Sequence, residues 1–401
     1  MTPKPTFSHL GIDSLLVKAV NELNYQQPTP IQQTAIPAIL QGRDVVAGAE
    51  TGSGKTAAFA LPLLQRLSQQ AQTSQAKGNQ IRALILAPTR ELAIQIGQAI
   101  NSYGQYLQPR LKVCTVFGGV SINPQMLVLR GGADIVVATT GRLLDLMAHN
   151  ALKCDALEYL VLDEADKMLG LGFSEELTQI LKALPKKRQN LLFSATFPPE
   201  LQQLIEQLLY QPLEINLAKQ DENLIEQHVY VVEQERKNAA LIHLIHSENW
   251  QQVLVFASAK NTCNRLVLKL AKAGLQAAAF HGDLSQSARN KALEDFKAKK
   301  IRVLIATDVA ARGIDIQQLP YVVNFELPRS ANDYIHRIGR TGRAGAKGEA
   351  ESLVCMDEEG FMMEIERFTK QDIPVQVIDG FGPEEGEQAE PIAMGRQTIW
   401  G

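Results

Sequence analysis

The chain has 401 residues, of which 45% are hydrophobic and 21% charged, and its formal net charge is −3. That balance excludes a disordered polyelectrolyte and gives no bulk basic signal, so a polyanion would have to be met by a local groove. No run approaches the roughly 20 apolar residues that span a bilayer, and the N-terminus lacks the apolar core of a signal peptide, so no membrane partner and a cytoplasmic location are expected. The length suggests two or three domains. Cys114, Cys154, Cys263 and Cys355 form no C-x-x-C pair and read as buried thiols rather than a metal site or disulfides.

In chain order, Phe7 comes first, followed by a short amphipathic helix with Leu15, Leu16, Ala19, Val20 and Leu23 on one side. Tyr25 to Gln32 follows. Thr29 can cap a helix whose first turn holds Pro30, and Gln32 in that turn is either a capping partner or an amide able to read an adenine edge. Next, the apolar run Val45-Val46-Ala47 leads into Ala49-Glu50-Thr51-Gly52-Ser53-Gly54-Lys55-Thr56 and a helix-like segment. Strand, glycine loop and helix make a phosphate cradle, in which backbone N–H groups and the helix N-terminus point at an anion. Lys55 is placed to reach the β- and γ-phosphates and Thr56 to ligate Mg²⁺. The strict pattern is missed only at its first position, which is Ala49 with Gly48 before it.

Residues 69–80 are polar and read as a surface loop. Strands are expected at 81–87, 113–117 and 134–138, ending at Pro88-Thr89-Arg90, Gly118-Gly119 and Thr139-Thr140-Gly141-Arg142. Such alternation with helices means a mostly parallel sheet covered on both faces, with ligands gathering at the carboxyl ends of strands. Tyr159 to Leu162 runs into Asp163-Glu164-Ala165-Asp166. An acidic pair at a strand end suits a metal-side carboxylate, Asp163, and a water-orienting carboxylate, Glu164. The next strand, 190–193, ends in Ser194-Ala195-Thr196, and a helix after it carries a core-facing stripe from Leu201 to Leu209.

The second half repeats the alternation without the cradle, with strands expected at 229–232, 253–256, 277–280, 302–306, 321–324 and 351–355. It holds Ala306-Thr307-Asp308 through Gly313-Ile314-Asp315, then His336-Arg337-Ile338-Gly339-Arg340-Thr341-Gly342-Arg343. Arginines this close suit a triphosphate, though a nucleic-acid patch would explain them equally well. From Gln371 the periodicity fades into an acidic, Pro- and Gly-containing tail expected to be mobile.

These blocks, in this order and at these intervals, closely resemble the DEAD-box RNA helicases, most nearly the bacterial RhlE type, over about residues 5–370. The resemblance implies an α/β chain of two tandem RecA-like, P-loop NTPase domains: 1–217, a linker 218–226, 227–370, and the tail 371–401. It implies ATP with Mg²⁺ as cofactors, held by Ala49, Glu50, Thr51, Gly52, Ser53, Gly54, Lys55, Thr56, Asp163 and Glu164, with Gln32 reading adenine beside an aromatic, Phe7 or Tyr25. Gly313 and Asp315 would also touch ATP, and Arg340 and Arg343 would act as fingers. Ser194 and Thr196 would couple hydrolysis to strand separation, and His336 and Arg337 would link to the first domain. Pro88, Thr89, Arg90, Gly119, Thr139, Gly141, Arg142 and Thr307 would contact the RNA backbone, largely without regard to sequence.

The chain departs from the pattern at two places. The usual Thr-Pro-Gly-Arg is Thr139-Thr140-Gly141-Arg142, and the glycine before the aromatic Tyr25 is Asn24, which fits if φ is positive there. Some RhlE-type proteins carry a basic tail, whereas this chain's end is acidic, so affinity is expected to rest on the two-domain groove. The expected activity is RNA-dependent ATP hydrolysis that separates RNA duplexes or remodels RNA–protein complexes, by a monomer whose two domains close on ATP and RNA. Ribosome-assembly or RNA-decay proteins are the partners weighed. The rival readings are an RNA clamp or annealing chaperone with little turnover, and a DNA translocase.

Overall fold

The structure is a computed structural model that describes residues 5–49, 52–70, 78–216, 225–311, 319–342 and 347–382. The chain forms two compact units, Met1–Asp221 and Glu222–Gly401. Among the described residues no helix is long and apolar enough to cross a membrane.

The first unit contains strands β1 (Val45–Gly48), β2 (Ile81–Leu86), β3 (Val113–Val116), β4 (Ala133–Ala138), β5 (Tyr159–Asp163), β6 (Gln189–Ser194) and β7 (Leu213–Asn216). They form one parallel sheet in the order β3-β4-β2-β5-β6-β1-β7. Because side chains alternate across a strand, Ala83 and Ile85 enter the core on one face, while Leu84 and Leu86 enter the core on the other. Both faces are covered by helices, which is why the strands read as unbroken apolar runs.

The second unit contains β8 (Ile225–Val231), β9 (Val253–Phe256), β10 (Ala277–Phe280), β11 (Val303–Ala306), β12 (Tyr321–Asn324), β13 (Gly348–Val354) and β14 (Val375–Gln376). Its parallel sheet runs β10-β11-β9-β12-β13-β8-β14. Val253 and Val255 face one core and Leu254 and Phe256 the other. The two α/β halves expected from the alternation are thus both parallel sheets between helical layers.

Some local expectations differ from the structure. The helix Ser14–Glu22 buries Leu16, Ala19 and Val20 but leaves Leu15 and Leu23 largely exposed, so its apolar stripe is narrower than its sequence pattern. Strands β8 and β13 start earlier than expected, because polar residues such as Glu226, His228 and Glu349 are carried within the ladder. The segment after Gln371 is tied down as far as residue 382. Val375 and Gln376 pair with β8, Ile373 and Ile378 are buried, and Glu233 N donates to the Phe381 carbonyl. A two-residue strand and single apolar anchors are too short to register as periodicity. Residues 383–401 of the expected tail and most of the expected linker lie outside the described residues.

Candidate nucleotide and nucleic-acid site

In the first unit, Asn24 has φ 61°, so asparagine does occupy the left-handed position where the family carries glycine. The turn delivers Tyr25, whose hydroxyl lies 3.3 Å from that of Tyr103 with the two rings edge to face. Phe7 is only 2% exposed and belongs to the hydrophobic core with Leu16, Val20 and Ile36. Thr29 is the N-cap of the helix Pro30–Leu40, with Pro30 at its start. Gln32, 3% exposed, accepts from Thr29 N through Oε1 at 2.9 Å and donates from Nε2 to the Gly54 carbonyl at 3.1 Å. The capping role and a contact to the cradle are therefore both made. Each end of the amide keeps one further hydrogen-bonding position.

The cradle itself follows from β1. Gly52 and Gly54 have φ 88° and 92°, and the helix Lys55–Gln70 begins at the lysine. A Cβ on Gly54 would stand 2.4 Å from Gln32 Nε2, so only glycine lets these two segments meet. Ala49 N donates to the Ser194 carbonyl at 3.0 Å, and Lys55 Nζ folds back onto the Ala49 carbonyl at 2.9 Å. Ser53 and Thr56 are half-buried. Glu50 and Thr51 lie outside the described residues.

Strand β5 ends at Asp163, and Glu164 then takes φ 54°, ψ 50° before the helix Ala165–Gly170. This left-handed non-glycine residue is the kind of backbone strain that persists where surrounding structure holds it. Burial pushes the Asp163 carboxyl up to about 6. Lys55 and Lys167 oppose that shift and Glu164 adds to it. Asp163 Oδ1 accepts from Glu164 N at 3.0 Å. Asp166 ties this turn to β6: its Oδ2 accepts from Thr196 N at 3.1 Å and Thr196 Oγ1 at 2.8 Å, and its N–H donates to Ser194 Oγ at 3.2 Å. Ser194 Oγ in turn donates to the Thr196 carbonyl at 2.8 Å. Ser194 and Thr196 are thus bound directly to the acidic turn, through a residue, Asp166, to which the sequence reading gave no separate role.

The expected RNA residues sit on the neighbouring strands. Thr89 caps the helix Arg90–Tyr103 after β2 and accepts from Leu92 N at 3.3 Å. The Arg90 guanidinium lies against Gly119, where a Cβ would stand 2.4 Å from it. Thr139 Oγ1 accepts from Gly118 N at 3.4 Å, and Gly141 is exposed in the first turn of the helix Thr140–Ala148. Pro88 and Arg142 are buried, and Arg142 donates to the Val120 carbonyl at 2.8 Å, which braces the glycine loop. Sheet order therefore sorts the residues. The ends of β3, β4 and β2 carry the residues expected to contact RNA, and the ends of β5, β6 and β1 carry those expected to hold the nucleotide.

In the second unit, Ser330 caps the helix Ala331–Ile338, and a pocket is lined by Phe256, Asp308, Asp333, His336, Arg337 and Arg340. His336 is half-buried and Arg340 is 2% exposed. Arg337, 1% exposed, is committed inside its own unit. Its Nε and Nη2 grip Asp308 Oδ1 and Oδ2 at 2.6 and 2.7 Å, and its Nη1 reaches Asn324 Oδ1 at 3.2 Å and the Glu326 carbonyl at 2.5 Å. Its guanidinium also lies over the Phe256 ring. Within its own unit this fork ties β11 to β12. Thr307, 8% exposed, starts the turn Asp308–Ala311 after β11. Gly313, Asp315 and Arg343 lie outside the described residues.

A glycine cradle at the end of a parallel strand, facing an acidic pair two strands away, defines a P-loop nucleotide-hydrolase fold, here followed by a second RecA-like sheet. Residues 29–204 match the DEAD/DEAH box helicase family and residues 236–345 the Helicase conserved C-terminal domain. An ATP-dependent RNA helicase, CshA, from Listeria monocytogenes is 41% identical over 91% of this chain and 69% of its own length. Among solved structures, S. cerevisiae Dbp5 bound to RNA and ADP BeF3 superposes with a TM-score of 0.81 at 31% identity, covering 93% of this chain and 96% of that one. Mss116p bound to ssRNA and AMP-PNP gives a TM-score of 0.84 at 29% identity, covering 94% and 80%. The chain belongs to the DEAD-box ATP-dependent RNA helicases.

Proposed function

We propose that the protein hydrolyses ATP in response to RNA and uses the cycle to open short RNA duplexes or remodel RNA–protein complexes. The observation that carries this reading is the hydrogen-bonded chain Glu164-turn, Asp166, Ser194 and Thr196, which joins the nucleotide strand ends to a single sheet whose other strand ends present Thr89, Arg90, Gly119 and Thr139. Lys55 and the cradle N–H groups hold the phosphates, Gln32 reads the adenine edge with its spare amide positions, and Glu164 orients the attacking water. Arg340 and Arg343 neutralise phosphate charge as the bond breaks.

For Mg²⁺, the donors are hard oxygens: the Thr56 hydroxyl and the Asp163 carboxylate, whose buried charge is under-compensated. When bound, the ion would supply charge neutralisation at the phosphates. The expected RNA contacts are to backbone, so sequence preference should be slight and 2′-hydroxyls should favour RNA over DNA.

The test is phosphate release from ATP and Mg²⁺ without polymer, with single-stranded RNA and with single-stranded DNA, using Glu164→Gln as the blank. Stimulation by RNA well above DNA supports the reading. Equal stimulation by DNA replaces it with a general translocase, and binding without turnover replaces it with a passive RNA clamp.

A further inference from the structure

Directly after the acidic quartet stands Lys167, a residue to which neither the cradle nor the strand-end argument gives a task. It is 4% exposed, and Glu164 is 2% exposed. Lys167 Nζ lies 2.9 Å from Glu164 Oε1. Burying an ammonium group is costly unless it is paired, and lysines are accordingly rare in such positions. The pair is also built by the backbone. Glu164 is held left-handed, its carbonyl accepts from Lys167 N at 3.0 Å, and Asp166 Oδ1 accepts from the same N–H at 3.0 Å. The lysine is therefore anchored on the turn that presents the carboxylate. Its charge is felt at Asp163 too, alongside that of Lys55. The two carboxylates of the site thus meet two lysines from different elements.

We propose that Lys167 is a positioning residue that holds the Glu164 carboxylate in a single orientation for the attacking water. The inference rests on the assignment of Glu164 to that water. A freely rotating glutamate would have to be ordered at each turnover, and small losses of alignment at a reacting centre cost rate rather than ground-state binding.

The experiment is steady-state and single-turnover phosphate release with saturating single-stranded RNA, using the full chain. It compares the unmodified protein with Lys167→Met, Lys167→Gln, Lys167→Arg, Glu164→Gln and the Lys167→Met/Glu164→Gln double variant. Lys167→Met is expected to lower kcat about ten-fold while KM for ATP stays within about two-fold, since the ground state is untouched. Lys167→Arg should recover most of kcat. In the Glu164→Gln background, where the residual single-turnover rate is read against protein-free solution, the methionine should cost nothing further, because the carboxylate it positions is gone. Should Lys167→Met fail to fold, Lys167→Gln carries the same comparison. Unchanged kcat in a folded neutral variant, KM rising as kcat falls, or the same loss again in the double variant would overturn the inference. Full turnover in Glu164→Gln would remove the water assignment itself. Inactive Glu164→Gln beside a fully active Lys167→Met would leave that assignment standing and sink this inference alone.

Discussion

Adding one methyl group at Gly54 tests the join between the capped helix and the phosphate cradle. In Gly54→Ala the new Cβ would stand 2.4 Å from Gln32 Nε2 and 2.9 Å from Thr29 Oγ1, with the backbone at φ +92°. Glutamine is flexible, but its Oε1 is held by Thr29 N at 2.9 Å, so retreat of the amide breaks the bond to the Gly54 carbonyl and strains the cap. Left-handed backbone costs a non-glycine residue about 1–2 kcal/mol. Losing one to two hydrogen bonds in a buried position costs about 1–2 kcal/mol more. The sum, about 2–4 kcal/mol, would lower the first transition in thermal unfolding by several degrees. It should weaken binding of a fluorescent ATP analogue by at least about ten-fold, since the N–H groups of the cradle are displaced. In a Gln32→Ala background the contacts to Gln32 are removed and only the 2.9 Å approach to Thr29 Oγ1 remains, so Gly54→Ala should cost little more than the backbone part, about 1–2 kcal/mol. A Gly54→Ala variant that unfolds with the parent and binds the analogue equally well would refute the reasoning, as would an equal cost in both backgrounds.

Gln32→Ala by itself should raise the ATP concentration needed for turnover and relax the preference for adenine, read by comparing ATP with GTP. Asn24→Ala, at φ 61°, should cost about 1 kcal/mol in urea unfolding, whereas Asn24→Gly should be neutral. Arg337→Lys keeps the charge but not the fork on Asp308, Asn324 and Glu326, and should destabilise the second unit by about 2–4 kcal/mol; an unchanged melting profile would count against the tie. Glu351 gives a pH dependence. Burial pushes its carboxyl from 4.5 to about 7, against the opposing His228 at 3.2 Å. The folded state therefore keeps a proton that the unfolded chain releases. This contribution to stability is full below about pH 4.5 and is lost as pH rises through about 7, a span on the order of 3 kcal/mol. Glu351→Gln should flatten the stability difference between pH 5 and pH 8 in denaturant unfolding; an unaltered slope would remove Glu351 as its source.

The helicase blocks were legible as sequence because they are local. A strand that ends in glycines and a lysine, an apolar run that ends in Asp163-Glu164, and Thr29-Pro30 at a helix start each follow from propensities and turn chemistry within a few residues. The same locality makes Asn24 a residue suited to the left-handed turn before Tyr25. Helical spacing would also have set Lys167 one turn from Glu164. Its burial was not readable there, because a lysine after an acidic run looks like a solvated end.

What only the tertiary structure decided is which of these pieces meet. Gln32 reaches Gly54 across 22 residues and Thr196 reaches Asp166 across 30. Arg337 reaches Asp308 across 29 residues. The strand order that separates the ends of β5, β6 and β1 from those of β3, β4 and β2 is likewise a non-local choice. Hydrogen-bond patterns within one element repeat at the period of the chain and leave a trace in the sequence. Contacts between elements depend on which apolar faces pack together and where a buried polar group finds its partner, and one chain read in order carries no period for that.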